Sequence, residues 1–439
     1  MQSLSSALAV TGAAYLASMI VLVASAAPLG SPLFFACAAC AGVAYLAMLG
    51  RVWREDRTPR GLLLMAFAIA VAVRLPLAMA PAGPDNDMVR YRWDGRVQHL
   101  GYNPYLVVPS DPAMAATHTD ETRMMPSRHW RTPYLPSAQV FFRLVVALHD
   151  SSQAMKLALV ACDLLTIVVV WRWLAATGRR EWLALAYAWN PLVVLEVALS
   201  GHIDALGALW IASSAYWLAR RRTALASIAF VLAVTTKLLP IVLIPLYWRR
   251  VRVRDAVAAA VVFALLYLPF AGGSTLPLGA VPNVLAYIRF NGPVFRLIAE
   301  VATPQLAAAM AVLLGLLVAA WARWRLEVSD PAAWAWPMAV ALACAPVVYP
   351  WYLLSFTPFL LTSATWPLMA WTFSVMPVYL VWEFSRQGGR WIVPVSVMAV
   401  EYGLPCLALA ARALVRRAAA LSPRTSSAPL TPPASPPKG

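Results

Sequence analysis

The sequence predicts an all-α protein, a polytopic bundle of about 12 to 14 transmembrane helices, and three observations lead to this fold class. Of the 439 residues, 61 % are hydrophobic and only 12 % are charged, which a soluble domain does not show. Apolar blocks of roughly 17 to 25 residues, the length that crosses a bilayer as a helix, recur along nearly the whole chain. The net charge of +16 comes mostly from arginines in the short links between these blocks, a pattern that sets membrane orientation rather than nucleic-acid binding.

The order of apolar blocks and basic links predicts the topology. Blocks 7–27 and 32–50 form a hairpin, and the next link, 51–60, carries four arginines. Basic links stay in the cytoplasm, so block 61–81 is expected to cross outward. Further crossings are expected at 153–174, 182–199, 205–219, a hairpin of two short helices within 223–247, 256–271, 303–322, 332–348, 352–363, 366–384 and 391–413. Both termini are then cytoplasmic.

Residues 1–421 are expected to form one transmembrane domain. The tail 422–439 is rich in proline and serine and is expected to be disordered in the cytoplasm. The longest polar segment, 82–136, contains six of the nineteen acidic residues. We expect it to be the extracytoplasmic catalytic loop and to carry interfacial helices, because long loops in compact proteins are usually functional. Block 137–149 is apolar but short, so an interfacial or re-entrant helix is expected there.

The stretch 84–105 within this loop predicts a helix with two different sides. At 100° per residue, Asp87, Tyr91, Asp94 and Gln98 fall on one side, while Val89, Trp93, Val97 and Leu100 fall on the other. This is the pattern of a helix lying on a membrane surface, with its polar side toward a water-filled cavity. Gly101 is expected to end the helix.

Asp85 and Asp87 are the candidate catalytic acids. Paired acids after a span can be only a solvated helix start, where carboxylates favour the helix dipole. The functional interpretation is that one of them removes a proton from an acceptor hydroxyl. Asp87 is the better candidate because it shares a side of the helix with Tyr91 and Asp94.

Other residues of the loop have two interpretations. Arg90 and Arg96, together with Arg92, form either a basic surface that rests on anionic headgroups or a clamp in which at least one guanidinium holds a phosphate. Tyr102, Asn103 and Tyr105 either cap the helix and anchor the loop at the interface or supply aromatic faces and an amide to a sugar ring.

Ionisable residues at the ends of later spans are costly to place in a membrane and are usually functional. Glu196, His202 and Asp204 belong to this class, and His202 is a candidate for binding an acceptor hydroxyl or a phosphate oxygen. Lys237 and Arg386 either extend toward the interface or bind a lipid phosphate. Tyr349, Trp351 and Tyr352 form either an interfacial aromatic belt or the entry for a lipid-linked donor.

Several site classes have no matching pattern. The sequence contains no Walker-type loop, zinc pattern or glycine fingerprint for a nucleotide, which argues against a cytoplasmic nucleotide-sugar site. Beyond Asp85 and Asp87, no set of residues forms an evident metal site, so no cofactor is predicted with a defined set of ligands. A divalent metal stays open as an alternative.

The landmarks just described resemble the C superfamily (GT-C) of integral-membrane glycosyltransferases, and within it bacterial mannosyltransferases that use polyprenyl-phosphate mannose. The resemblance rests on the following stretches, taken in chain order: 87–98, Gly101-Tyr-Asn-Pro-Tyr105, Tyr134-Leu-Pro136, Asn190-Pro191, Gly201-His-Ile-Asp204, Thr236-Lys-Leu-Leu-Pro240 and Tyr349-Pro-Trp-Tyr352. It implies that Asp87 is the catalytic base and that a lysine or arginine near the cavity holds the donor phosphate. The extra N-terminal hairpin departs from the family pattern, which places the acidic motif after an early span.

The resemblance implies an inverting transferase on the outer side of the cytoplasmic membrane. Its donor would be a polyprenyl-phosphate sugar, with mannose favoured, and its acceptor a glycolipid or glycan. The rival hypothesis is a lipid flippase or secondary transporter, because broken helices with a buried lysine also occur in transporters. The asymmetric polar loop and the lack of an obvious internal repeat favour the transferase.

Overall fold

The computed structural model describes residues 2–55, 59–81, 87–125, 127–272 and 277–421. Asp85 and the tail 422–439, about which the sequence made predictions, lie outside the described residues. Within the described ranges, all regular structure is helical, and β-type pairing is confined to a single bridge between Phe290 and Val347. The all-α fold class is therefore confirmed.

The first half of the chain contains three long helices, the loop with its short helices, a fourth long helix and four shorter helices. In order, these are α1 (Gln2–Ala24), α2 (Pro32–Val52), α3 (Arg60–Met79), α4 (Asp87–His99), α5 (Asp120–Arg123), α6 (Pro136–Leu148), α7 (Ser152–Ala176), α8 (Leu185–Ala188), α9 (Pro191–Val194), α10 (Asp204–Ala219) and α11 (Thr223–Val234). A π-helical turn, Leu195–Leu199, continues α9.

The second half alternates long helices with short irregular ones. In order, these are α12 (Val253–Tyr267), α13 (Val281–Tyr287), α14 (Pro293–Val301), α15 (Pro304–Arg325), α16 (Pro331–Ala343), α17 (Trp366–Ser374), α18 (Leu380–Arg386) and α19 (Val395–Leu421). The 3-10 helices lie at Pro112–Thr117, Glu181–Ala184, Leu239–Tyr247, Leu268–Phe270, Pro350–Ser355, Thr357–Phe359, Ser363–Thr365 and Met376–Tyr379.

The protein is a multi-pass membrane protein. In the described part of the chain, eight helices are long and apolar enough to cross a membrane, and a bent pair, Glu181–Ala188 with Pro191–Leu199, makes a ninth candidate with a 54° bend. Shorter apolar helices, among them α6, α11 and α16, add to the bundle. As predicted, the block 223–247 is broken, because α11 ends at Val234 and a 3-10 helix starts only at Leu239.

One predicted span is wrong as a continuous helix. Residues 352–363 run through two 3-10 helices and the first residue of a third rather than an α-helix, because Pro350 and Pro358 each remove a backbone donor. Side chains such as Leu353, Phe359 and Leu361 are fully buried. This segment therefore lies in the protein interior instead of facing lipid.

The loop helix α4 also differs from the prediction. Its apolar side does not rest on the membrane surface, since Val89, Trp93 and Val97 pack with Met114 and Met125 in a small core of the loop itself. The loop is thus a folded unit with its own core. The predicted helix end is confirmed, because α4 stops at His99 and Gly101 adopts φ +84°, a left-handed conformation that glycine reaches without strain.

Candidate active site

A large cavity opens beside the N-terminus of α4. Its volume is about 1240 Å³, which is large for a small-molecule site. One end is polar and is lined by Asp87, Asp204 and Lys237, while the rest is lined mostly by apolar side chains of the 3-10 helix Leu239–Tyr247 and of α13, α15 and α16. A cavity with these two ends suits a ligand that has a charged head and an apolar tail.

Asp87 is the first residue of α4 and lies at the polar end of this cavity. Its side chain is 33 % exposed. Burial raises the pKa of the Asp87 carboxyl above its usual value, while the charge of Lys237, a hydrogen bond from Tyr134 and the charge of Arg90 act in the opposite direction. A carboxylate in this setting is a stronger base than one in water.

The turn 201–204 follows the π-helical segment and brings His202 close to Asp87. Gly201 has φ +69°, and a Cβ built on it would lie 2.1 Å from the sulfur of Met88, so glycine is required for this approach. The Ile203 backbone N–H donates to the Tyr91 hydroxyl over 3.3 Å. Tyr91 itself is buried and stacks on Phe142 at 4.6 Å. Tyr91 therefore fixes the turn relative to α4 instead of lining the cavity.

His202, held by this turn, lies behind Asp87. Its Nδ1 is 3.8 Å from Asp87 Oδ2, and its Nε2 is 3.2 Å from Oε2 of the buried Glu196. The hydroxyl of Tyr379 donates a hydrogen bond to the other Glu196 oxygen. His202 is only 6 % exposed, so the structure couples it to the candidate base and does not place it on the cavity wall.

An aromatic stack supports His202 from the other side. The imidazole stacks on Trp351 at 4.0 Å, Trp351 stacks on Tyr349 at 4.4 Å, and Tyr349 stacks on Phe290 at 4.3 Å. Tyr349, Trp351 and Tyr352 all line the cavity. These three aromatic side chains therefore form part of the cavity wall.

Lys237 and Asp204 form an ion pair at the same end of the cavity. The Lys237 ammonium is 3.0 Å from Asp204 Oδ2 and lies 4.7 Å from the centre of the Tyr352 ring. Asp204 is buried, whereas the Lys237 side chain is 22 % exposed. Lys237 is therefore the partner that a ligand in the cavity can reach.

Three arginines of the described chain also line the cavity, namely Arg90, Arg131 and Arg386. Arg90 is held by Asp94 at 2.8 Å and by the Trp130 carbonyl at 3.0 Å. Arg386 donates to the Leu29 carbonyl at 2.6 Å and pairs with Glu383. With Lys237, these residues bring four cationic side chains to the cavity wall, and three of them, Lys237, Arg90 and Arg386, are paired with an acid.

Asp94 lies in the protein interior and does not line the cavity. It is fully buried, it pairs with Arg90, and it accepts hydrogen bonds from Thr132 at 2.5 Å and Gln139 at 2.8 Å. Gln139 in turn accepts a hydrogen bond from Gln98 at 2.9 Å. The predicted polar side of α4 therefore faces α6 over most of its length, and only its first turn reaches the cavity.

The remaining loop candidates lie outside the cavity lining. Arg96 is 3.6 Å from Asp150, and Tyr102 is exposed. Asn103 donates to the Phe270 carbonyl at 2.8 Å, and the Tyr105 hydroxyl donates to the Tyr134 carbonyl at 2.8 Å. These contacts match the alternative in which the last two residues anchor the loop.

Several cavity residues were not among the sequence candidates. They are Trp130, Arg131, Thr236, Ser355, Trp382 and Trp391. Arg131 precedes the Tyr134-Leu-Pro136 landmark, which was the available signal for this part of the wall. In the described residues, no group of three or more histidine, cysteine or acidic side chains could hold a metal ion.

A comparison with known proteins gives the family. The profile described as "Alpha-(1->6)-mannopyranosyltransferase, N-terminal domain" matches residues 2–251, more than half of the chain. No curated protein sequence matches at a significant level. The matched region contains α4, the 201–204 turn and Lys237. The resemblance to GT-C mannosyltransferases is thus confirmed, and the chain belongs to the alpha-(1->6)-mannopyranosyltransferase family and is a membrane-embedded glycosyltransferase of the mannosyltransferase class.

Proposed function

We propose that the protein transfers mannose from a polyprenyl-phosphate donor to a glycan or glycolipid acceptor, with Asp87 as the general base. The single observation that carries this proposal is the two-ended cavity. Its polar end joins a partly exposed carboxylate to cationic side chains, and its apolar remainder runs between helices. A nucleotide sugar has no long apolar part to fill such a space, whereas a polyprenyl-phosphate sugar has both a charged head and an apolar chain.

The apolar walls suit an isoprenoid chain. Side chains such as Ile241, Val242, Val284 and Val312 face the cavity, and alanines of α15 and α16 leave room between them. Leu306 and Leu313 of α15 are exposed on the protein surface, which in a bilayer is the lipid side. A lipid tail can therefore lie along α15 while its phosphate is near Lys237.

The donor phosphate is assigned to the cations at the polar end. Lys237 is the central candidate because it is partly exposed and close to Asp87, whose pKa it lowers. Arg131 is exposed, lines the cavity and adds a second positive charge. These charges stabilise the phosphate as it leaves with the electrons of the sugar–oxygen bond.

In the proposed reaction, Asp87 takes the proton of an acceptor hydroxyl, and the oxygen attacks the anomeric carbon on the side opposite the phosphate. This single displacement inverts the configuration. The donor is already activated as a phosphodiester, so the protein has to supply alignment, a base and charge stabilisation.

The basic links support a proposal for the side of the membrane on which the active site lies. Arg180 donates to the carbonyls of Trp53 and Glu55, so the links after α2 and α7 meet at one end of the bundle. From that end, α3 leads to the loop that contains Asp87. Since basic links stay in the cytoplasm, this arrangement supports an extracytoplasmic active site in the cytoplasmic membrane.

The test uses purified protein in liposomes without an ion gradient. Polyprenyl-phosphate [14C]mannose of β configuration is supplied with octyl α-(1→6)-mannobioside as the acceptor probe. The expected result is a radiolabelled trisaccharide with a new α linkage, and no product from GDP-[14C]mannose. Movement of the labelled lipid across the bilayer without sugar transfer would support the flippase instead. Transfer from GDP-mannose would contradict the lipid donor.

A further inference from the structure

We propose that Glu196 and His202 form a relay behind Asp87, in which Glu196 fixes the tautomer of His202 so that Nδ1 accepts the proton that Asp87 removes. This inference rests on the proposed role of Asp87 as the base. It gives a reason for two buried ionisable side chains that do not line the cavity. His202 acts through Asp87, so it is a positioning residue.

The contacts of Glu196 favour one tautomer. One of its oxygens accepts from the Tyr379 hydroxyl, and the other is 3.2 Å from His202 Nε2. Among the described residues, this second oxygen has no hydrogen-bond partner in place. Since a carboxylate offers only acceptors, a hydrogen on Nε2 is the nearest donor that would satisfy it. Glu196 lies in the π-helical turn Leu195–Leu199, a local widening that often occurs at functional sites.

The other nitrogen of the ring is free to take a proton. Among the described residues, Nδ1 of His202 has no hydrogen-bond partner, and its nearest acidic oxygen is Asp87 Oδ2 at 3.8 Å. With the hydrogen on Nε2, Nδ1 presents a lone pair toward Asp87. A buried polar atom without a partner is costly, and a protonated Asp87 would satisfy it.

The ring cannot easily turn away from this position. It stacks on Trp351 at 4.0 Å with an angle of 9° between the planes. The backbone N–H of His202 donates to the Glu196 carbonyl over 3.1 Å. The charged groups that act on His202 are Asp87 and Glu196, which are in contact with it, and Lys237, which acts through its charge.

The proton is accounted for at each step. The O–H bond of the acceptor breaks as its oxygen forms the bond to the anomeric carbon, and the proton goes to Asp87. The phosphate leaves with the electron pair of the broken bond. The proton on Asp87 is then shared with, or passed to, His202 Nδ1, and the resulting imidazolium lies between Asp87 and the carboxylate of Glu196.

Glu196→Gln tests the relay because it reverses the tautomer. With Tyr379 donating to the amide oxygen, the amide nitrogen faces His202 and donates to Nε2. The hydrogen then lies on Nδ1 and points at Asp87, so the ring can no longer accept the proton. We expect kcat to fall on the order of a hundredfold, the low end for a positioned acid or base, with KM for both substrates nearly unchanged.

The pH profile separates the relay from a packing role. An acceptor at Nδ1 stabilises protonated Asp87, so losing it lowers the pKa of Asp87 and moves the acidic limb of kcat to lower pH. His202→Phe keeps a ring on Trp351 but removes both nitrogens, and should move the limb the same way. If His202 serves only in packing, the acidic limb should stay in place. It could also move to higher pH, because phenylalanine is a more apolar neighbour for the Asp87 carboxylate.

The control is Glu401→Gln, which makes the same change at a buried glutamate of α19 that accepts from Asn291 and Trp371. It should keep kcat within about twofold. Unchanged kcat and acidic limb in folded Glu196→Gln or His202→Phe would overturn the relay, while Asp87→Asn still abolishing transfer would leave the base assignment standing. Activity in Asp87→Asn would instead remove both proposals.

Discussion

Lys237 Nζ lies 3.0 Å from Asp204 Oδ2, which ties the break between α11 and the following 3-10 helix to the N-terminus of α10. Two roles are open to Lys237. Lys237 either only neutralises the buried Asp204, or it also binds the donor phosphate. A double-mutant cycle distinguishes the two.

We expect Lys237→Met to raise KM for the polyprenyl-phosphate donor about tenfold or more, since a charge-assisted hydrogen bond is worth about 1.5–3 kcal/mol. The double variant Lys237→Met/Asp204→Asn removes both charges and relieves the unpaired acid. If Lys237 binds phosphate, the double variant keeps the high KM. Recovery of a wild-type KM in the double variant would show that Lys237 serves only to neutralise Asp204.

The pH dependence of transfer should reflect the raised pKa of Asp87. The base must be ionised, so activity is lost as pH falls through its pKa, and burial places that pKa above the ordinary 3.8. The groups that face Asp87 are His202, Lys237, Arg90 and Tyr134. Because Lys237 lowers this pKa, Lys237→Met should move the acidic limb of kcat/KM to higher pH. A limb that stays in place would indicate that another group limits the rate.

Gly201→Ala should damage the site through Met88. The positive φ costs a non-glycine residue about 1–2 kcal/mol. The new methyl group would also push the sulfur of Met88, the residue that follows Asp87 in the chain. We expect at least about a tenfold loss of kcat/KM and a lower melting temperature. Gly403→Ala is the control, because a Cβ there meets nothing within 4 Å and alanine favours the helix. Equal behaviour of the two variants would contradict the close approach at Gly201.

The bundle contains another buried ion pair, Arg74 with Asp163, whose contacts do not include Asp87. Arg74 Nε is 2.5 Å from Asp163 Oδ2, with both side chains almost fully buried, and Tyr187 donates to the other Asp163 oxygen. Asp163→Ala leaves an uncompensated cation and should cost about 3–5 kcal/mol, seen as a lower melting temperature in detergent. Arg74→Met/Asp163→Leu should recover most of the loss, whereas a double variant as unstable as Asp163→Ala would show that the charges are not the cause.

Much of the fold was predictable because apolar length and basic links are local properties of the sequence. The break in 223–247 and the end of α4 just before Gly101 were also predictable, since proline and glycine act locally. The interior path of 352–363 was not predictable, because an apolar run has the same sequence pattern whether it contacts lipid or protein. The partners of Val89 and Trp93 could not be predicted either, since Met114 and Met125 are distant in sequence.

The site was predictable as a set of stretches and less so as individual side chains. The sequence singled out Asp87, Lys237, Tyr349, Trp351 and Tyr352 as candidates, and in the structure all of them line one cavity. Periodicity could not tell which polar residue of α4 faces the cavity. Asp94 lies on the same side as Asp87 but two turns along, where α6 covers it. His202 was selected for substrate binding, whereas its contacts place it behind Asp87.

The most direct measurement of the central claim is mannose transfer by Asp87→Asn, reconstituted beside the wild type. The matched control is Asp111→Asn, a change at an aspartate of the same loop that caps the 3-10 helix Pro112–Thr117, a position where asparagine serves equally well. If Asp87 is the base, Asp87→Asn should lower kcat by about a thousandfold, while Asp111→Asn should stay within about twofold. Transfer by folded Asp87→Asn at a rate close to the wild type would contradict this role of Asp87.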